Sequence, residues 1–220
     1  MERFLGMDTP LMKALSMLAD LVILNLLWLV CCFPIVTIGA STTAMYSVSL
    51  KLAAGHDGYV WKRFFKAFKQ NLKQSTIIHM AVLVLVGIIA VDYYMIAGGA
   101  QTLPYMQVVL GASLFLIAIF LSWVYPVLAR FDNTLKNTCK NALAMAVVHL
   151  PFTILVCILN LIPIVILFVY TDLFIKWMIL WILAGGSGIA YINSFSFNHC
   201  FKRYIPEEVL EAEKEMIGEI

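Results

Sequence analysis

Charge is what this chain has least of. Asp, Glu, Lys and Arg make up 13% of its 220 residues, while 62% are hydrophobic. A soluble domain carries about 25% charged and about 45–50% apolar residues. The imbalance excludes an ordinary soluble domain and points to a polytopic membrane protein. At ~20 residues per span, the length holds five or six crossings and leaves little for a soluble domain. Catalytic signatures are missing as well: there is no GxSxG, no HExxH and no Walker pattern. No two carboxylates share a helical face within the apolar runs, since Asp20 and Asp92 belong to different ones. The chain is therefore expected not to be an enzyme and to need no cofactor. The five cysteines, Cys31, Cys32, Cys139, Cys157 and Cys200, match no zinc spacing and are odd in number, so free thiols are expected. His79, His149 and His199 share no helical face and have no carboxylate at ligand spacing, so no metal site is expected. The opening MERFLGMDTPLMKAL lacks a small-residue cleavage pattern, so the first span is expected to serve as an uncleaved insertion signal.

What the chain does have is a series of apolar runs separated by short polar joints. Leu11, Leu15 and Leu18 suit one side of a short interfacial helix after Pro10, and a first span runs from about Asp20 to Val36. It meets Phe33, Pro34, Thr37 and Gly39, a place to turn or break a helix, because Pro34 lacks an N–H and Gly39 tolerates unusual dihedrals. Residues 40–54 (ASTTAMYSVSLKLAA) would reach only ~22 Å as a helix, short of a ~30 Å hydrocarbon core. Their Ser, Thr and Ala content suits close helix packing. Further spans fall at 77–97, 105–129, 142–170, the last interrupted by Pro151 and Pro163, and 177–197. Ala184 and Gly188 stand at small-xxx-small spacing in that final span. Residues 1–205 form one transmembrane helical domain, and 206–220 an acidic tail expected to be helical from Glu207 onward.

The segment 61–74, WKRFFKAFKQNLKQ, stands out. Trp61, Phe64, Phe65, Phe68 and Leu72 recur at helical spacing, and Lys62, Arg63, Lys66, Lys69 and Lys73 fill the other faces with no acid among them. Such a helix suits a bilayer interface, aromatics toward the acyl chains and lysines toward anionic headgroups. Basic residues also gather in the joint after the 105–129 run (Arg130, Lys136, Lys140) and in the tail (Lys202, Arg203, Lys214), whereas 98–104 has none and 171–176 has one. By the positive-inside rule the basic segments and the carboxyl terminus face the cytoplasm of a cell membrane, against an anionic inner leaflet. Two topologies stand. If 40–54 crosses, there are six segments and both ends are inside, the arrangement that Arg3 and Lys13 favour; otherwise there are five, with the amino terminus outside.

Several blocks together carry a resemblance: Asp20 to Trp28, Phe33-Pro34 to Gly39, Gly58-Tyr59, Phe64-Phe65, Phe68 to Asn71, Lys73-Gln74, Tyr125-Pro126, Arg130-Phe131, Thr138 and Asn141. This series resembles the YesL family of bacterial integral membrane proteins, also known as domain of unknown function 624, across roughly residues 1–205. The resemblance implies an all-α, polytopic transmembrane bundle of five or six spans with a basic amphipathic interfacial helix. It also implies a setting beside carbohydrate ABC transporters and their sensor systems, whose subunits are the expected partners. Nucleic acid is not an expected partner. It implies no catalytic residue.

Polar residues inside the apolar runs are the remaining candidates, because an ionised group at mid-bilayer costs ~2.5–3.5 kcal/mol on insertion scales. Asp20 and Asp92 sit near run ends, where an interfacial position would keep them hydrated. His149 precedes Leu150-Pro151, where a proline frees a carbonyl upstream and local hydrogen bonding is the simplest role. Asn25, Asn160 and Asn193 suit interhelical hydrogen bonds or, alternatively, the lining of a polar path for a small transporter.

Overall fold

The computed structural model describes residues 10–56, 58–97, 105–209 and 211, and among them all regular structure is helical. The helices are α1 (Pro10–Cys32), α2 (Ile38–Ala53), α3 (Val60–Ala97), α4 (Met106–Arg130), α5 (Leu135–Val148), α6 (Leu150–Val169), α7 (Thr171–Lys176), α8 (Met178–Leu180) and α9 (Gly186–Phe201). Among the described residues five stretches are long and apolar enough to cross a bilayer: Leu11–Cys32, Val60–Ile96, Met106–Arg130, Leu150–Val169 and Met178–Tyr204. The protein is an all-α, multi-pass membrane protein.

The centre of the bundle is α2, which is not one of the five. Its 16 residues pack against α1, α3, α4 and α9, and ten of them, from Gly39 to Leu50, are buried. Small and hydroxylated side chains make this possible, because they let four backbones approach at once. The sequence leaves 40–54 open between a short span, a re-entrant helix and a surface helix, and its burial excludes the surface helix. The path of α2 is also defined. Lys13 and Asp20 of α1 line one hollow with Leu52, Gly58, Tyr59 and Trp61, so α2 carries the chain back to the end of the bundle at which α1 began. Five helices reach span length, and α2 makes the return inside them. The reversal from α2 to α3 turns at Gly55, whose φ of +83° suits glycine alone at low cost.

Three expectations change. The apolar stretch from Leu11 is not a separate interfacial helix, since α1 runs unbroken from Pro10 to Cys32. The basic segment 61–74 and the span 77–97 are likewise one helix, α3, of 38 residues. No proline or glycine stands between Val60 and Gly87 to break it, and Ser75 Oγ returns a hydrogen bond to Asn71 O at 2.6 Å within the helix. At 1.5 Å per residue α3 is about 57 Å long, so roughly half of it has no room inside a ~30 Å hydrocarbon core. The run 142–170 is instead divided. α5 ends at Val148, His149 takes φ −108° and ψ 43°, and Pro151 stands in the first turn of α6. Proline is tolerated there because first-turn N–H groups have no intrahelical partner. The helical reading of the acidic tail falls largely outside the described residues.

A cluster of aromatic rings joins α4 to α9. The ring of Trp123 meets Phe197 edge-on at 5.1 Å, Phe197 stacks on Phe201 at 5.8 Å, and Phe131 meets Phe201 edge-on at 5.2 Å. Trp123 is fully enclosed and donates to Thr153 Oγ1 at 2.9 Å, which joins α4 to α6.

Candidate functional site

A cavity of about 560 Å³ opens where α1, α2, α4, α6 and α9 meet, within the size range of small-molecule pockets. Trp28, Thr42, Tyr46, Tyr125, Asn160 and Gly186 bring one or more wall residues from each of these helices. Its polar groups turn mainly toward each other. Trp28 Nε1 donates to Thr42 Oγ1 at 3.2 Å, and Asn193 Nδ2 donates to Asn160 Oδ1 at 3.3 Å.

Tyr125 lies on this wall and reaches His79 of α3, with its hydroxyl 2.8 Å from His79 Nδ1. The other ring nitrogen of His79 is buried without a hydrogen-bond partner. Above the pair sits Gly39. A Cβ there would lie 2.7 Å from the Ser75 carbonyl and 2.8 Å from His79 Cβ, so α2 and α3 touch backbone to side chain. Gly39 belongs to the first turn of α2 and has no positive φ. Close approach, not unusual dihedrals, accounts for it. The turn itself is the 3₁₀ segment Ile35–Thr37, where Thr37 Oγ1 donates to the Cys31 and Pro34 carbonyls at 2.7 and 2.8 Å. Pro34 and Phe33 stand exposed at its rim.

Asn25 forms the second seam. It is fully buried on α1, and its Nδ2 donates to Ile182 O at 2.6 Å and Trp181 O at 3.3 Å, while Ser187 N donates to its Oδ1 at 2.9 Å. The accepting carbonyls belong to Trp181–Gly185, a π-helical turn. Such a turn leaves backbone groups out of α register, and one amide side chain meets three of them. Ser187 Oγ adds a bond to Leu21 O at 2.7 Å. Close packing of the glycine patch occurs at Gly186, where a Cβ would meet the Trp28 ring at 2.9 Å. Gly188, singled out by spacing, faces open space.

The basic half of α3 has three edges. Val60, Phe64 and Ala67 are buried in the protein, with Phe68 stacked on Phe64 at 6.1 Å. Phe64 therefore belongs to the protein core and not to the lipid. The physical reason is that α2 claims this stripe. Trp61, Phe65 and Leu72 remain as an exposed apolar edge, and Lys62, Lys66, Lys69 and Lys73 as an exposed basic one. Lys62 Nζ lies 4.9 Å from the Tyr59 ring centroid and 5.6 Å from that of Trp61. Arg63 instead turns inward and donates to His56 O at 2.8 Å.

The other candidates separate. Asp20 faces the hollow beside Tyr59 and Tyr191, while Asp92 is exposed near the far end of α3. His149 is not within a span but at the α5–α6 break. Its Nε2 lies 3.2 Å from Tyr204 Oη, and its ring stacks on Trp123 at 6.0 Å. Burial, followed by the charges of Arg203 and His199, holds its pKa below the ordinary value of 6.5. Among the described residues no three His, Cys, Asp or Glu side chains converge as a metal site would need. Of the polar candidates the structure brings together Asn160 and Asn193. It adds His79, Tyr125, Thr42 and Ser187, which no spacing had marked. Gly39 and Tyr125 belong to the sequence blocks that carry the family resemblance, and His79 is what joins them.

No curated protein and no solved structure matches the chain. A family model described as "Protein of unknown function, DUF624" matches residues 21–93, from the buried Leu21 of α1 through all of α2 to the far part of α3. The stretch that holds Asn25, Gly39, His79 and the basic edge of α3 is thus the part of the chain that matches the DUF624 family model.

Proposed function

We propose that this membrane protein is a non-enzymatic accessory or regulator of carbohydrate uptake of the ABC type, acting by binding a transporter or sensor subunit within the bilayer. The resemblance to the YesL family supports the setting. The observation that carries the mode of action is α6: of its 20 residues only Thr153 and Val156 are buried in the bundle, which leaves a long apolar ridge for another helix. The basic edge of α3 is a second contact surface, placed at the cytoplasmic face by the positive-inside rule. The test is co-purification in mild detergent with the permease and sensor subunits of a carbohydrate transporter. Recovery that is lost when Ile158 and Leu155 of α6 are both changed to bulky Trp supports the reading. Failure to recover either subunit from cells that make them overturns it.

A second reading, a small transporter, is supported by the π turn Trp181–Gly185 next to the cavity, because broken helices often flank transport sites. Reconstituted vesicles that take up labelled sugar above empty vesicles would favour it.

A further inference from the structure

We propose that the cavity between α4 and α6 seats one acyl chain of a bilayer phospholipid, which enters sideways from the membrane. Its mouth is formed by Leu114 and Phe115 of α4 and by Leu161 and Ile164 of α6, which line the cavity and are 44%, 57%, 45% and 50% exposed. The wall is therefore continuous with the lipid-facing surfaces of two spans, and the medium at the mouth is hydrocarbon. The polar groups inside are largely occupied. Trp28 bonds Thr42, Tyr125 bonds His79, Asn160 bonds Asn193, and Ser122 Oγ returns to Ala118 O at 2.8 Å. A sugar placed there would leave hydroxyls unpaired, whereas a hydrocarbon chain asks for no hydrogen bonds. The chain also supplies what α6 lacks. Contact with the seated hydrocarbon would fill the gap between α6, α4 and α9, where protein side chains leave about 560 Å³ open.

The inference does not rest on the accessory role, competes with the transporter reading for this cavity, and is tested on the full chain in lipid nanodiscs. The probe is phosphatidylglycerol bearing a diazirine near the end of one acyl chain, irradiated and mapped by mass spectrometry. Adducts are expected on the inner wall at Met45, Leu121 and Cys157 as well as on lipid-facing Val84 and Ile88. Ala118→Trp at the mouth should lower the wall adducts severalfold and leave those on Val84 and Ile88 unchanged. In detergent, the melting temperature of the unmodified protein should rise with added phospholipid, as mass action requires of a ligand for the folded state. This arm does not depend on the variant folding. Adducts confined to the outer face of the unmodified protein would overturn the proposal. So would wall adducts that persist at full yield in a stably folded Ala118→Trp protein, or a wall labelled by a photoactivatable sugar and not by the lipid.

Discussion

The two helices that differ most are α2 and α6. α2 is built from Gly, Ala, Ser, Thr and a few larger residues, and ten of its 16 residues are buried. α6 is the most apolar of the long helices, with mean hydropathy 2.9, yet only two of its 20 residues are buried. In water the order would be reversed. In a bilayer the lipid tails are as apolar as leucine, so hydrophobicity gives α6 no reason to leave the lipid. Small side chains and internal hydrogen bonds are what favour protein over lipid, and α2 has them. The interior of this bundle is chosen by fit and polarity, and its exterior by hydrophobicity.

The largest expected effect comes from removing the fit. Gly39→Leu would drive a side chain into the Ser75 carbonyl and His79 at distances where real Cβ atoms do not occur. Overpacking typically costs about 1–3 kcal/mol, and an unyielding backbone carbonyl puts this site at the upper end. Denaturant titration of the purified protein in micelles should show it, and a loss under about 0.5 kcal/mol would break the comparison. Next is polarity at the π turn. Asn25→Leu strands two carbonyls and the Ser187 N–H inside the bundle. A loss of about 1–3 kcal/mol is expected, the usual penalty for unpaired buried groups. Smaller again is Tyr125→Phe, which removes the bond to His79 Nδ1. Interhelical bonds average about 0.6 kcal/mol with a maximum near 1.7, and coupling with His79→Leu in a double-mutant cycle would isolate the term. Substitution on the far side of α6, Ile154→Val, should change stability by under about 0.5 kcal/mol, as for any group that faces solvent lipid in both states.

A last prediction concerns the end of the bundle outside the hydrocarbon. The folded protein holds the pKa of His149 below 6.5, so it favours the neutral ring. As pH falls through 6.5 the unfolded chain takes up the proton first, and stability present above that pH is lost on acidification. Thermal melts from pH 7.5 to 5 should therefore fall less steeply for His149→Gln than for the original protein. An unchanged slope would mean that other groups carry the acid sensitivity.

The structural classes of residue were not equally legible. Length of apolar run gave the spans, and small-residue content marked 40–54 as a close-packing helix. The edges of α3 are legible only in part, because periodicity places Phe64 and Phe65 on one broad apolar face and does not say which neighbour lies on either side. Gly188 was marked by spacing and Gly186 makes the contact, since a π turn just upstream rotates the register of the helix by a fraction of a turn. Nothing local signalled His79, whose partner lies 46 residues away on α4.

By itself the sequence determined the solvent this protein lives in, a range of five or six long apolar segments and the clustering of its basic residues. These follow from composition and from distances along one helix, which a chain carries with it before it packs. The tertiary structure decided that α2 is the centre, that Asn25 holds a π turn, and that Gly39, His79 and Tyr125 meet. Those facts depend on which helix faces which. In lipid that choice rests on the matching of small side chains and buried hydrogen bonds between segments far apart in the chain, and no local pattern encodes it.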